Sequence, residues 1–410
     1  MSATAIPPST AASRWPVVAA CAAVMLVEGF DLLIYGNAIP SLLHDAAMGI
    51  DKAAAGRIGS AVFVGMLLGG VAAGRVVAAL GLARALIPGF LLFTLATAGI
   101  ALAGDGLQLA LLRFLAGLGL GVVLPATLSL ARASVQPRHG ALAISIVMAG
   151  LPVGGMLAAL VSLQLIPVGG WRPLFLAGGA LGLLLLALLG PVLARAARGM
   201  AAAAAPAAGR LRGLFNPASR PVLLFGALAA LADLLAWYGL STWLTQLMRE
   251  FEIPFAGAMQ MMFTLNIGAI VGSLLTAALA IRLGTRPVAI VCGLVAAVCL
   301  VAIAARALPG WGLFAVIAVL GMSAISAQNL VNALVADAFP AHWRAAAIGL
   351  TLGIGRLGAV IAPILGGQIL AAGHGPSWVL LAFALAALPG AALLLALDPR
   401  RMRACLDSLA

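Results

Sequence analysis

Charged residues are scarce in this chain: only 8% of its 410 residues are Asp, Glu, Lys or Arg, while 64% are hydrophobic and the mean hydropathy is +1.18. A soluble domain carries about 25% charged residues, so this chain has too few to cover a water-exposed surface of ordinary size. Its apolar segments are long and continuous and lack the alternation of barrel strands. Because only helices and closed barrels satisfy their backbones inside a bilayer, the sequence predicts an all-α membrane protein.

Side chains that ligate metals or act as nucleophiles are also few, and they are poorly placed for either role. The cysteines show no metal or disulfide spacing, the histidines lie in predicted loops, and no Ser/His/Asp set is visible. The residues concerned are Cys21, Cys292, Cys299, Cys405, His44, His139, His342 and His374. We therefore expect no catalytic residue, no metal and no cofactor, and we predict that the protein is not an enzyme.

The net charge of +12 comes almost entirely from arginine, since Lys52 is the only lysine. These residues are scattered over short loops, which indicates a topology signal rather than a nucleic-acid surface. With the N-terminus inside, the cytoplasmic side holds Arg14, Arg75, Arg84, Arg132, Arg138, Arg195, Arg198, Arg210, Arg212, Arg220, Arg282, Arg286, Arg344, Arg400, Arg401 and Arg403. The outer side holds Lys52, Arg57, Arg172, Arg249 and Arg306. The positive-inside rule then predicts an inner-membrane protein with both termini in the cytoplasm, and no cleavable signal peptide precedes the first span.

Apolar segments long enough to cross a bilayer, about 20 residues each, occur twelve times. The predicted spans are 16–38, 57–79, 85–103, 108–131, 141–165, 173–194, 221–247, 257–281, 287–305, 312–336, 345–371 and 378–397. The longest connection contains the run AAAAAPAAGR and falls in the middle of the chain. We expect a six-helix N-terminal half (1–194), a cytoplasmic linker (195–220) and a six-helix C-terminal half (221–410).

The two halves contain similar sequences about 203 residues apart. DLLIYG at 31–36 matches DLLAWYG at 233–239, and AISIVMAGLPVGG at 143–155 matches AIGLTLGIGRLGA at 347–359. Two matches at nearly the same shift indicate a duplication. Repeats of this parallel kind place the substrate between the halves, near the middle of the membrane.

Ionisable residues inside predicted spans are candidates for function, because each costs about 2.5–3.5 kcal/mol to insert. Glu28 and Asp31 lie three residues apart, hence on one helical face, where mutual repulsion favours a shared proton. We predict proton coupling at Asp31 and Glu28, and at Asp233 because it lies in the repeated segment. The alternative is that these acids form structural ion pairs with Arg113 or Arg356.

A fixed cation near the membrane centre predicts an anionic substrate, and Arg356 offers a planar fork that suits a carboxylate. Arg356 could instead be a permanent partner of an acid, and Arg113 could bind substrate or form a gating salt bridge. Both tyrosines of the chain occupy the repeated position. The further substrate-binding candidates are Tyr35, Tyr238, Trp243, Asn266, Gln328 and Asn332.

Four motifs resemble the aromatic acid:proton symporters of the major facilitator superfamily, which include 4-hydroxybenzoate and benzoate permeases. They are EGFDLLIYGNAIPSLL at 28–43, RFLAGLGLGVVLP at 113–125, GLPVGG at 150–155 and NALVADAFPAHWRAAAIGLTLGIGRLGAVIAPILGG at 332–367. The resemblance implies the two-half major facilitator fold, functional roles for Asp31, Arg113 and Arg356, and Glu28 in place of a family aspartate. It also implies proton-coupled uptake of a small organic anion, most readily an aromatic carboxylate, by a monomer in the lipid bilayer.

The chain departs from the superfamily pattern at the two loops that normally carry gate acids. Ala78 and Ala79 stand where an acid and a base belong between spans 2 and 3, and Ile281 takes the acid position between spans 8 and 9. We expect this loss to favour an inward-open resting form. The alternatives to uptake are a proton-driven efflux antiporter of the same fold, a non-transporting membrane sensor and, least favoured, a membrane enzyme.

Overall fold

A computed structural model describes residues 14–198, 214–306 and 308–397, together with residues 402, 405 and 407. These residues contain twelve helices that are long and apolar enough to cross a membrane, which confirms the predicted class and number of spans. The helices are α1 Trp15–His44, α2 Lys52–Leu80, α3 Leu82–Ile100, α4 Gly106–Ala133, α5 Gly140–Gly169, α6 Arg172–Arg198, α7 Ser219–Glu250, α8 Phe255–Leu283, α9 Thr285–Ala304, α10 Gly310–Asp337, α11 Ala341–Ala371 and α12 Pro376–Ala396.

Two connections are shorter than the predicted span limits imply, which left residues 80–84 and 282–286 between helices. Only Gly81 separates α2 from α3, and only Gly284 separates α8 from α9. Their φ angles of 81° and 91° fall in the region that favours glycine. Ala78 and Ala79 therefore lie in the last turn of α2, and Ile281 lies in the last turn of α8.

The second half repeats the packing of the first. In the first half α2 packs on α4, α1 on α5, and α3 on α4 and α6; in the second half α8 packs on α10, α7 on α11, and α9 on α10 and α12. Close backbone contacts recur with these pairs: a Cβ on Gly65 would collide with the Phe114 carbonyl, and one on Gly268 with the Ala318 carbonyl. This correspondence supports the duplication inferred from the sequence.

The predicted linker 195–220 is only partly covered by the structure. α6 continues to Arg198 and α7 begins at Ser219, so both helices extend into the predicted linker. Residues 199–213 lie outside the described residues, as do five of the arginines assigned to the cytoplasmic side: Arg210, Arg212, Arg400, Arg401 and Arg403.

The halves meet where α1 packs on α7, α2 on α11, and α5 on α8. We name the two ends of the bundle by their connections. The terminal face carries the N-terminus of α1 and the Gly81 and Gly284 connections, and the distal face carries the α1–α2, α7–α8 and α11–α12 connections. Each helix crosses from one face to the other.

Polar contacts join the halves near the distal face. Lys52 Nζ, at the start of α2, lies 2.6 Å from Glu250 Oε1 at the end of α7. Deeper in the bundle, the Thr245 hydroxyl donates to Asn37 Oδ1 at 3.2 Å, and the Ser60 hydroxyl donates to the Val360 carbonyl at 2.6 Å. The distal end of the interface is therefore closed.

The terminal end of the interface is open along α11. Gly349 and Gly353 lie seven and three residues before Arg356, and so on the same helical face. A Cβ on either glycine would meet no atom within 4 Å. The space between the halves is thus closed toward the distal face and accessible from the terminal face.

We predict that the Lys52–Glu250 pair holds the distal face closed. The Lys52→Glu variant should open it, and Lys52→Glu combined with Glu250→Lys should close it again. The opening can be measured as the labelling rate of Thr242→Cys, a buried position beside Gly36, in a background without the four native cysteines. Because a partly exposed pair contributes about 0.2–1 kcal/mol, we expect the rate to change by up to about fivefold. Equal rates in the single and double variants would contradict this role.

Candidate functional site

Four of the charged residues predicted from the sequence lie together at mid-height: Glu28 and Asp31 on α1, Arg113 on α4 and Arg356 on α11. We call this the central site and define it by Glu28, Asp31, Tyr35, Arg113, Tyr238 and Arg356. It contains two groups of side chains: one lies inside the first half, and the other lies at the interface between the halves.

The first group surrounds Asp31, which is only 2% exposed. The Thr97 hydroxyl of α3 donates to Asp31 Oδ1 at 2.5 Å, and the charge of Arg113 acts on the same carboxyl. The other oxygen, Oδ2, has no hydrogen-bond partner among the described residues. Asp31 is therefore fixed at one oxygen while the other remains available to a proton.

Arg113 is enclosed in the first half and only 1% exposed. Its guanidinium carbon lies 4.2 Å from the ring centroid of Tyr35, within the range of a cation–π interaction. The Tyr35 hydroxyl donates to the Ala55 carbonyl at 2.6 Å, which fixes the ring against α2. Arg113 therefore packs against Tyr35 inside the first half, and its charge acts on Asp31, but its Nε and Nη1 lack hydrogen-bond acceptors in the described part of the chain.

The second group lies at the interface and includes Arg356, which is half-buried. The charge of Arg356 acts on Glu28 of α1 and on Tyr238 of α7. Its Nη1 reaches α2 of the opposite half, where it lies 2.8 Å from the position of a Cβ on Gly70. Within the residues that the structure describes, Arg356 forms no hydrogen bond and no ion pair within 4.0 Å. This guanidinium is free to bind an anion.

Asp233 lies apart from the central site, inside the second half. Its Oδ1 lies 3.1 Å from the position of a Cβ on Gly390 of α12, and its charge acts on Cys292 of α9. In the described ranges it has no hydrogen bond and no cation in contact. The eighth residue of α4 is Arg113, whereas the eighth residue of α10 is Ile317. Asp233 therefore has Ile317 in the second half where Asp31 has Arg113 in the first half.

The remaining substrate-binding candidates make contacts of different kinds. Trp243 is fully buried, and its indole N–H donates to the Pro363 carbonyl at 3.0 Å, which joins α7 to α11. Asn266 of α8 reaches the interface, where its Oδ1 faces Gly155 of α5 without a hydrogen-bond partner among described residues. Gln328 Nε2 donates to Asn332 Oδ1 at 3.1 Å within α10.

Sequence reasoning missed two residues that contact the central site. Thr97 is one of two threonines in α3, and a hydroxyl in an apolar span was the only signal that could have identified it. Phe63 of α2 packs against Tyr238, with the ring centroids 4.6 Å apart. It is one of 14 phenylalanines, and nothing in the sequence distinguishes it.

Comparison with known proteins identifies the family. The family model of the Major Facilitator Superfamily matches residues 21–356 and 226–407. The chain belongs to this superfamily. Its fold also resembles the crystal structure of a D-xylose–proton symporter, with a TM-score of 0.76 and 14% identity over 95% of this chain and 99% of that one.

Within the superfamily the chain belongs with the aromatic acid permeases. It is 31% identical to a gentisate transporter of Corynebacterium glutamicum, covering 89% of this chain and 83% of that protein. It is 30% identical to a gallate transporter of Pseudomonas putida (96% and 94%). It is 31% identical to a 3-(3-hydroxy-phenyl)propionate transporter of Escherichia coli (98% and 99%). The chain is therefore a multi-pass membrane transporter and not an enzyme, as predicted.

Proposed function

We propose that this transporter takes up small aromatic carboxylates together with protons across the bacterial inner membrane. The observation that carries the proposal is the guanidinium of Arg356, which faces the interface between the halves and contacts no acid among the described residues. The names of the relatives support the substrate class, since gentisate, gallate and 3-(3-hydroxy-phenyl)propionate are all aromatic carboxylates.

An anionic substrate would satisfy Arg356. Arginine stays charged in proteins and presents a planar fork of donors that matches a carboxylate. A cation at mid-membrane costs about 2.5–3.5 kcal/mol on insertion scales. A substrate carboxylate would offset part of this cost with two charge-assisted hydrogen bonds.

Coupling to protons would follow from the position of Glu28, which interacts with both Arg356 and Asp31. In the empty site, Arg356 is the cation whose charge acts on Glu28. A substrate carboxylate on Arg356 would neutralise that cation and leave Glu28 near a second negative charge, so substrate binding favours proton uptake by the two acids. We assign coupling to Asp31 and Glu28. A coupling role of Asp233 stays a prediction, because among the described residues Asp233 does not contact Arg356.

The arginine distribution supports an orientation with the terminal face in the cytoplasm. Among the described residues, eleven arginines lie at or near the terminal face and five basic residues lie near the distal face. The eleven are Arg14, Arg75, Arg84, Arg132, Arg138, Arg195, Arg198, Arg220, Arg282, Arg286 and Arg344. By the positive-inside rule, the open end would face the cytoplasm. That state is the one expected for a chain without gate acids at Ala78 and Ile281.

We further propose that the halves bounded by residues 1–194 and 221–410 move as units about the central site. α4 packs on helices of its own half, as does α10. The main contacts between the halves join α1 to α7, α2 to α11, and α5 to α8. One chain contains both halves of the site, so we expect a monomer to transport.

The Arg356→Lys variant should bind benzoate about 10- to 100-fold more weakly, because one ammonium cannot replace two hydrogen bonds to a charged group. Binding to purified protein is the measurement. The exposed Arg57 at the distal end of α2 provides a matched control, and Arg57→Lys should bind as the wild type does. Wild-type affinity in Arg356→Lys would remove this arginine from the substrate site.

The Asp31→Asn variant should lose accumulation of substrate against a gradient in proteoliposomes but keep counterflow exchange, because exchange does not require proton release. Asp105→Asn is the control, since Asp105 caps α4 by accepting from the Gln108 amide and asparagine caps equally well. Accumulation by Asp31→Asn would refute a coupling role, and proton-stimulated extrusion by the wild type would favour the efflux alternative.

A further inference from the structure

An aromatic pair joins the two halves beside the free arginine. Phe63 of α2 is buried, and its ring centroid lies 4.6 Å from that of Tyr238 of α7 at an interplanar angle of 56°. Among the described residues this is the one ring pair that crosses the interface, since the others join neighbours within a half. A pair of this kind must separate or slide whenever the halves move.

The aromatic pair and the cation lie along the same face of α2. Phe63 and Gly70 are seven residues apart, which is close to two full turns and about 10 Å along the axis. Arg356 Nη1 packs against α2 at Gly70, where a Cβ would crowd it. Tyr238 connects Phe63 with Arg356. Its ring contacts Phe63, and the charge of Arg356 acts on its hydroxyl.

The guanidinium and the aromatic pair offer separate contacts to the two parts of an aromatic acid. The carboxylate needs the guanidinium, while the ring needs flat apolar surfaces several ångströms away, and aromatic side chains provide such surfaces in stacked or edge-to-face geometry. The absence of a side chain at Gly70 leaves room for the guanidinium against α2. A saturated ring would fill the same space but would have no π face to offer.

We propose that Phe63 is a specificity-determining residue that contacts the substrate ring and selects aromatic over saturated carboxylates. Tyr238 contacts the other side of the substrate ring. The two side chains contact each other in the empty site, and the substrate ring replaces that contact by lying between them. The inference rests on the proposed function, because it requires Arg356 to hold the carboxylate.

The test compares two acids of similar size, benzoate and cyclohexanecarboxylate, in binding to purified protein. The wild type should prefer benzoate, and Phe63→Leu should weaken benzoate binding about two- to tenfold while leaving cyclohexanecarboxylate unchanged. Phe63→Tyr retains an aromatic ring and should retain the preference. Phe93→Leu provides the matched control, because Phe93 is a buried phenylalanine that packs on Phe90 within α3, and it should bind both acids as the wild type does.

The outcomes separate this inference from the proposed function. If Phe63→Leu weakens both acids equally or neither, the ring contact is refuted while carboxylate transport stands. If the wild type binds neither acid, both the proposed function and this inference are refuted. Should Phe63→Leu not fold, Phe63→Met keeps a flexible apolar side chain of similar volume and gives the same comparison, with loss of the benzoate preference again the expected result.

Discussion

The central site depends on a guanidinium at the middle of the membrane that contacts no acid in the part of the chain the structure describes. Arg356 cannot give up its proton in a protein, so the fold must either shield its charge or leave it to a ligand. The surrounding residues do the second. Gly70 leaves room for Nη1, Glu28 and Tyr238 interact with the charge without contacting it as an ion pair, and α11 opens toward the terminal face.

Arg113, by contrast, is a cation that the fold shields rather than leaves to a ligand. Its charge is enclosed between Tyr35 and Asp31 inside the first half, where motion between the halves leaves it undisturbed. The second half has Ile317 at the corresponding position of α10 and leaves Asp233 beside Gly390. The duplicated halves thus differ in chemistry: the first holds the paired acids and a permanent cation, and the second contributes the cation that faces the interface. In the proposed mechanism, coupling between substrate and proton would depend on Glu28.

The fold could be predicted from sequence because its main determinants are local. Twelve apolar segments, a shift of about 203 residues and the cost of burying charge were enough to predict the helices, the duplication and the acidic and basic residues of the central site. The two connections beside the gate positions are shorter than the predicted span limits imply, since one glycine with positive φ is enough to connect two helices. The sequence could not separate Asp233 from Asp31, because that difference depends on which neighbouring helices each one faces. Thr97 and Phe63 were missed for the same reason: each matters through a partner on another helix.

The central claim is that a fixed positive charge at the interface requires a negative charge on the substrate. The most direct measurement compares benzoate with benzamide, which has the same ring and nearly the same shape but no charge, in binding to the purified wild-type protein at neutral pH. The account predicts that benzoate binds at least about tenfold more tightly, because hydrogen bonds to a charged group contribute about 1.5–3 kcal/mol. Equal binding of the two compounds would show that the site recognises the ring alone and that Arg356 does not select the substrate.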